Sequence, residues 1–69
     1  MEKRERFKKL RQDAGLTPAE FARLLSVTPT MIKNYEEKNV DIGQEVLTKI
    51  MVNFPEKFCW FMTGDDSVE

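Results

Sequence analysis

The chain is poor in groups that make and break bonds. It has no histidine, so a His-based zinc site and a Ser-His-Asp triad are both impossible. It has no glycine-rich loop and no pair of acids in an evident cleft. Its single cysteine, Cys59, rules out an internal disulfide framework and is expected to be a small buried apolar residue. Nothing in these features calls for an enzyme, a metal or a cofactor. The remaining chemistry is hydrogen bonding, and it is concentrated between Thr28 and Glu37. Ile32 and Tyr35 recur there at helical spacing as an apolar edge. The other side of that helix is left to Thr28, Pro29, Thr30, Met31, Lys33, Asn34 and Glu37. If that side met a DNA groove, the Asn34 carboxamide could pair with both N6 and N7 of adenine. Thr30 offers a hydroxyl and a methyl suited to thymine, and Lys33 suits guanine or a phosphate. Asn34 is the best base reader of the set, with a solvated helix residue as the lesser alternative, while Met31 fits a half-buried packing residue as well as a base contact.

Two short helices must position these groups. Thr17 is a good N-cap, Pro18 fits the first helical position, and Glu20, three residues on, completes a capping box. Phe21, Leu24 and Leu25 then recur at helical spacing beside the small Ala22. Ser26-Val27 breaks the run, and Thr28-Pro29 opens the next helix by the same device. Upstream, residues 2–14 read as a helix with Phe7, Leu10 and Ala14 facing the core and Gly15 as its stop. Downstream, residues 42–54 read as a fourth helix, capped by Asp41 with Gln44 or else by Gly43. Its apolar face is Val46, Leu47, Ile50, Met51 and Phe54. Phe54-Pro55 marks a break, and a short fifth helix runs to Met62 with Gly64 as its cap. Asn39 is the candidate for a left-handed residue ending the third helix. Residues 1–64 therefore read as one all-α domain of five helices, and residues 65–69 as an acidic, frayed tail.

The stretch Leu16 to Glu36 resembles the helix-turn-helix of Cro and the lambdoid phage repressors. Ala22 matches the small residue that lets the two helices approach. Phe21, Leu25, Val27, Ile32 and Tyr35 match the bracing apolar positions, and Trp60-Phe61-Met62-Thr63-Gly64 matches a pattern common near the end of relatives. The likeness runs from about Phe7 to Gly64. It implies a lambda-repressor-like domain that lays its second motif helix in the DNA major groove. On that reading Pro29, Thr30, Lys33 and Asn34 take the base-contacting positions. Thr17 and Thr28, at the positive ends of helix dipoles, hold phosphates, and Lys8 and Lys9 add backbone contacts. The resemblance also pairs Arg11 with Glu36, a bidentate ion pair that would set the angle of the second motif helix. Without it, Arg11 would be one more basic surface residue.

Charge cuts across this reading. The formal net charge is −1, where a DNA binder usually carries an excess of positive charge. Residues 1–13 hold six basic against three acidic residues, a net +3. Residues 14–40 balance, and residues 41–69 hold two basic against six acidic residues, a net −4. A basic start facing phosphate and an acidic end facing solvent or a partner would accommodate this polarity.

Departures from the family pattern bear on the same point. Pro18 stands where a phosphate-clamping glutamine is common, and Pro29 where a second polar reader is common. Ser26 takes a turn position usually held by glycine, at about 1 kcal/mol of strain. Glu37 would repel phosphate. Two functions therefore stay open. One is a short Cro-like, phage-type repressor binding double-stranded operator DNA. The other is a modulator of the antirepressor type whose partner is another repressor protein, with Met31 as an apolar anchor. Phe58, Trp60, Phe61 and Met62 exceed what a short terminal helix needs, so part of that surface is expected to form a homodimer interface. No apolar run is long enough to span a membrane and no signal-peptide core is evident, which points to the cytoplasm.

Overall fold

The structure is a computed structural model, and it describes residues 2–38 and 40–64. Five helices follow in order: α1 (Lys3–Asp13), α2 (Pro18–Leu25), α3 (Pro29–Glu37), α4 (Gln44–Asn53) and α5 (Pro55–Thr63). Proline occupies the first turn of α2, α3 and α5, where its missing N–H is no loss and its fixed φ starts the helix.

Phe7 on α1 is the hub of the core. Its ring lies 5.1 Å from Phe21 of α2, 5.3 Å from Tyr35 of α3 and 6.2 Å from Phe61 of α5. Tilted ring pairs at these separations are favourable beyond their buried area. Leu10, Ala22, Leu25, Ile32, Val46 and Ile50 complete the buried set. The radius of gyration, 11.1 Å, matches the ~11 Å expected of a compact chain of this length.

The first two helices end alike. After α1, the Leu16 amide donates to the Arg11 carbonyl at 3.2 Å and the Gly15 amide to Gln12 at 3.0 Å. After α2, the Val27 amide donates to Ala22 at 2.9 Å and the Ser26 amide to Arg23 at 3.3 Å. Both pairs are Schellman motifs, which need a left-handed residue at the turn. Gly15 supplies it at φ 72° without strain, and Ser26 adopts it at φ 60° as a non-glycine residue.

Several sequence expectations are corrected here. α4 starts at Gln44 rather than 42, with Gly43 as its N-cap and no side-chain cap bond, so the Asp41–Gln44 box does not form. It also ends one residue earlier, at Asn53, because Phe54 precedes a proline and leaves helical space. Ala14 is exposed, because α1 stops at Asp13 and Ala14 is its C-cap, at the turn rather than on the inner face. Met51 is 46 % exposed on the outer side of α4. Cys59 is exposed on α5 rather than buried. Of the four large apolar residues on α5, Phe61 is fully buried, while Phe58, Trp60 and Met62 are half-buried against the core. The proposed role of Asn39 and the tail 65–69 lie outside the described residues.

Candidate nucleic-acid interface

α2 and α3 are joined by the Ser26-Val27 turn and pack closely through Ala22, which is 1 % exposed. Behind α3, Ile32 and Tyr35 enter the core. At its far end Glu36 is held by Arg11 of α1. Arg11 Nε donates to Glu36 Oε2 at 2.7 Å and Nη2 to Oε1 at 3.3 Å, while Nη1 donates to the Leu16 carbonyl at 2.9 Å. The two side chains are 12 % and 8 % exposed. One guanidinium thus ties together α1, the chain entering α2, and α3.

With its back fixed, α3 turns a different set outward. Thr28, Pro29, Thr30 and Lys33 are exposed and Asn34 is half-buried, so the expected base-contacting residues share the outer side of one helix. Met31 is 38 % exposed. It lines a shallow cleft with Val27, Tyr35 and Val46, rimmed by Gly43 and Gln44 at the start of α4.

The residues expected at phosphate are dispersed. Thr17 and Thr28 sit at the starts of α2 and α3. The Thr17 hydroxyl accepts the Glu20 amide at 3.2 Å, and the Thr28 hydroxyl accepts the Met31 amide at 3.2 Å. Each hydroxyl acts as an acceptor in its cap; the Thr28 O–H is left to donate elsewhere, whereas the Thr17 hydroxyl also faces the Glu20 carboxylate. The start of α2 also carries a carboxylate: Glu20 Oε1 accepts the Thr17 amide at 2.8 Å. That backbone bond, with the Thr17 hydroxyl second, holds the Glu20 carboxyl below the usual glutamate range. Lys8 and Lys9 lie elsewhere, on a shallow surface with Glu2, Arg4, Glu5, Gln12 and Glu36, near the end of α3. Three acids offset three bases there, so this surface is mixed in charge rather than a positive patch.

The basic start of the chain divides by residue type. Its three arginines are all engaged within the fold. Arg4 contacts Glu2 Oε2 at 2.9 Å and the Glu37 carbonyl at 3.4 Å. Arg6 is 8 % exposed and donates from Nε to the Phe61 carbonyl of α5 at 2.7 Å. Arg11 holds Glu36. The lysines Lys3, Lys8 and Lys9 remain exposed, and Lys9 lies 3.7 Å from Asp13. Sequence reasoning counted Arg4 and Arg6 only as positive charge. Each also reaches a carbonyl at or near the end of a distant helix, which no local pattern reveals; the one available hint was the position of Arg6 directly beside the Phe7 core stripe.

Five helices of which two form a tight helix–turn–helix, with the second held from behind and polar in front, define a helix-turn-helix DNA-binding domain of the lambda-repressor-like fold. The chain belongs to the helix-turn-helix family, whose model matches residues 7–61. It is accordingly a DNA-binding transcriptional regulator and not an enzyme. Comparison with curated proteins and with solved structures gives no match. No helix among the described residues is long and apolar enough to cross a membrane.

Proposed function

We propose that the chain is a small, phage-type, Cro-like repressor. It acts in the cytoplasm, as a homodimer, on double-stranded operator DNA. α3 enters the major groove, where Asn34 reads adenine, Thr30 a thymine methyl and Lys33 guanine or a phosphate, with Pro29 beside them. Thr17 and Thr28 meet phosphates at the starts of α2 and α3, Thr28 through its hydroxyl proton, and Lys8 and Lys9 add weaker contacts. One observation carries this reading. α3 is fixed from behind by Ile32, Tyr35 and the Arg11–Glu36 pair, while its polar side chains face outward. Residues 1–64 act as one unit in it.

The backbone grip is weak on this reading. Pro18 and Pro29 remove amide donors at two helix starts, Glu20 brings a carboxylate to one of them, and the arginines of α1 are occupied. Specificity then rests on base contacts more than on charge. Anisotropy of labelled duplexes selected from a randomised pool, at about 50 and 200 mM salt, tests this. The expected result is sequence-dependent binding that falls with a shallow salt dependence and is lost in Asn34→Ala. Equal binding of selected and scrambled duplexes contradicts it.

A second reading has one specific observation in its favour. Met31 stands beside an apolar-floored cleft, as an anchor residue of a protein-binding surface would. On that reading the chain modulates another repressor. Its signature is a loss of partner binding in Met31→Ala with duplex binding unchanged.

A further inference from the structure

α3 is unfavourably charged at its far end. Its last turn carries Glu36 and Glu37 and no basic residue, whereas the orphan carbonyls and negative dipole end of a helix favour cations there. Lys38 at the C-cap is exposed, and the two arginines that reach this end of the helix come from α1. Arg11 neutralises Glu36. Arg4 Nη1 reaches the carbonyl of Glu37, the last residue of the helix, while its Nη2 is held by Glu2 Oε2. That carbonyl is one of the four that a helix leaves without an amide partner of its own.

We propose that Arg4 is a positioning residue for the recognition helix. It secures the last turn of α3, and through it the angle at which Thr30, Lys33 and Asn34 are presented, without itself touching DNA. The functional half of this inference rests on the assignment of α3 as the reading helix. The basic start of the chain then divides by residue type: Arg4 and Arg11 set the recognition helix, Arg6 caps α5, and the lysines face solvent.

Two measurements on the full chain separate the clamp from the DNA reading. The first is amide hydrogen exchange of the free protein. The Lys38 amide closes the last turn by donating to Asn34 at 2.9 Å. Arg4→Gln should speed its exchange by about two- to fivefold, the effect of one charge at a helix end, with α2 and α4 amides unchanged. Arg4→Lys should keep most of the protection, because the charge remains. Unchanged exchange in Arg4→Gln overturns the clamp, whatever DNA does.

The second is duplex binding, with the sequence the unmodified protein selects from a randomised pool. Arg4→Gln should lower affinity by up to the same two- to fivefold factor, with the slope of log affinity against log salt unaltered. A slope smaller by about 0.9 would make Arg4 a phosphate contact and overturn its positioning role. Recovery of no duplex at all overturns the assignment of α3, and with it the function of the clamp, while the exchange result still decides whether the clamp exists.

Discussion

Arg11→Met should be among the most damaging single substitutions in this chain. The arginine makes two bonds to Glu36 and one to the Leu16 carbonyl, and the carboxylate it would abandon is 8 % exposed. Removing one partner of a buried pair typically costs about 3–5 kcal/mol, because the other charge is left without compensation. The residual exposure of both groups places this case near 3 kcal/mol. A domain of this length holds only about 3–10 kcal/mol in total, so the variant should lie close to unfolding, with a melting temperature lower by about 12–24 °C. Glu36→Gln, which keeps an acceptor of the same shape, should cost about 1–2 kcal/mol. Replacing both residues by Met leaves no orphan charge. The double variant should therefore lose less than the sum of the two single Met variants, by at least about 1.5 kcal/mol. Urea unfolding followed by Trp60 fluorescence gives all four corners of the cycle. Additivity of the single variants within about 0.5 kcal/mol would refute the reasoning, since independent sites behave that way.

Three further outcomes follow from the backbone and the caps. Gly15→Ala and Gly64→Ala both force alanine into left-handed backbone, at about 1 kcal/mol, but only at Gly64 does the new Cβ meet Arg6 Nη1, at 2.8 Å. Displacing that guanidinium strains its bond to the Phe61 carbonyl, so Gly64→Ala should cost about 1–2 kcal/mol more than Gly15→Ala, as compared by urea midpoints. Ser26→Gly should raise stability by up to about 0.6 kcal/mol, relief of the left-handed serine being largely offset by the looser unfolded chain; a lower melting temperature would contradict this. The Glu20 carboxyl is held below its ordinary value mainly by the Thr17 amide, so its contribution is present above the unfolded-state value and is lost as pH falls through the lowered one. Melting temperature against pH should accordingly fall less steeply for Glu20→Gln than for the parent across that acidic window, and parallel curves would count against the capping box.

The parts of this fold legible in the sequence were those fixed by local chemistry. Thr17-Pro18 with Glu20, and Thr28-Pro29, state where α2 and α3 begin, because cap and proline act within one turn. Ala22, Ile32 and Tyr35 announced the inner faces by spacing alone. Where the reading slipped, the answer depended on a distant layer. Ala14, Met51 and Cys59 fit helical periodicity or common burial habits, but all three are exposed among the described residues. Arg6 is the reverse case, a charged residue buried because α5 ends where its guanidinium can cap it. The outward face of α3 was legible by subtraction, once the core positions were known. The division of α1 into arginines engaged across the fold and exposed lysines was not, because it is set by which groups of distant helices lie opposite each side chain.

The most direct test of the central claim is a residue-by-residue map of the surface that meets DNA. Amide chemical shifts should be followed as a duplex selected from a randomised pool is added to the labelled protein. The largest changes are expected at Thr28 and from Thr30 through Asn34, with a second set around Thr17 and little on the outer side of α4 at Thr48 and Val52. Changes centred on α4 and α5, with α3 undisturbed, would mean that the helix pinned by Arg11 and Glu36 is not the one that reads DNA.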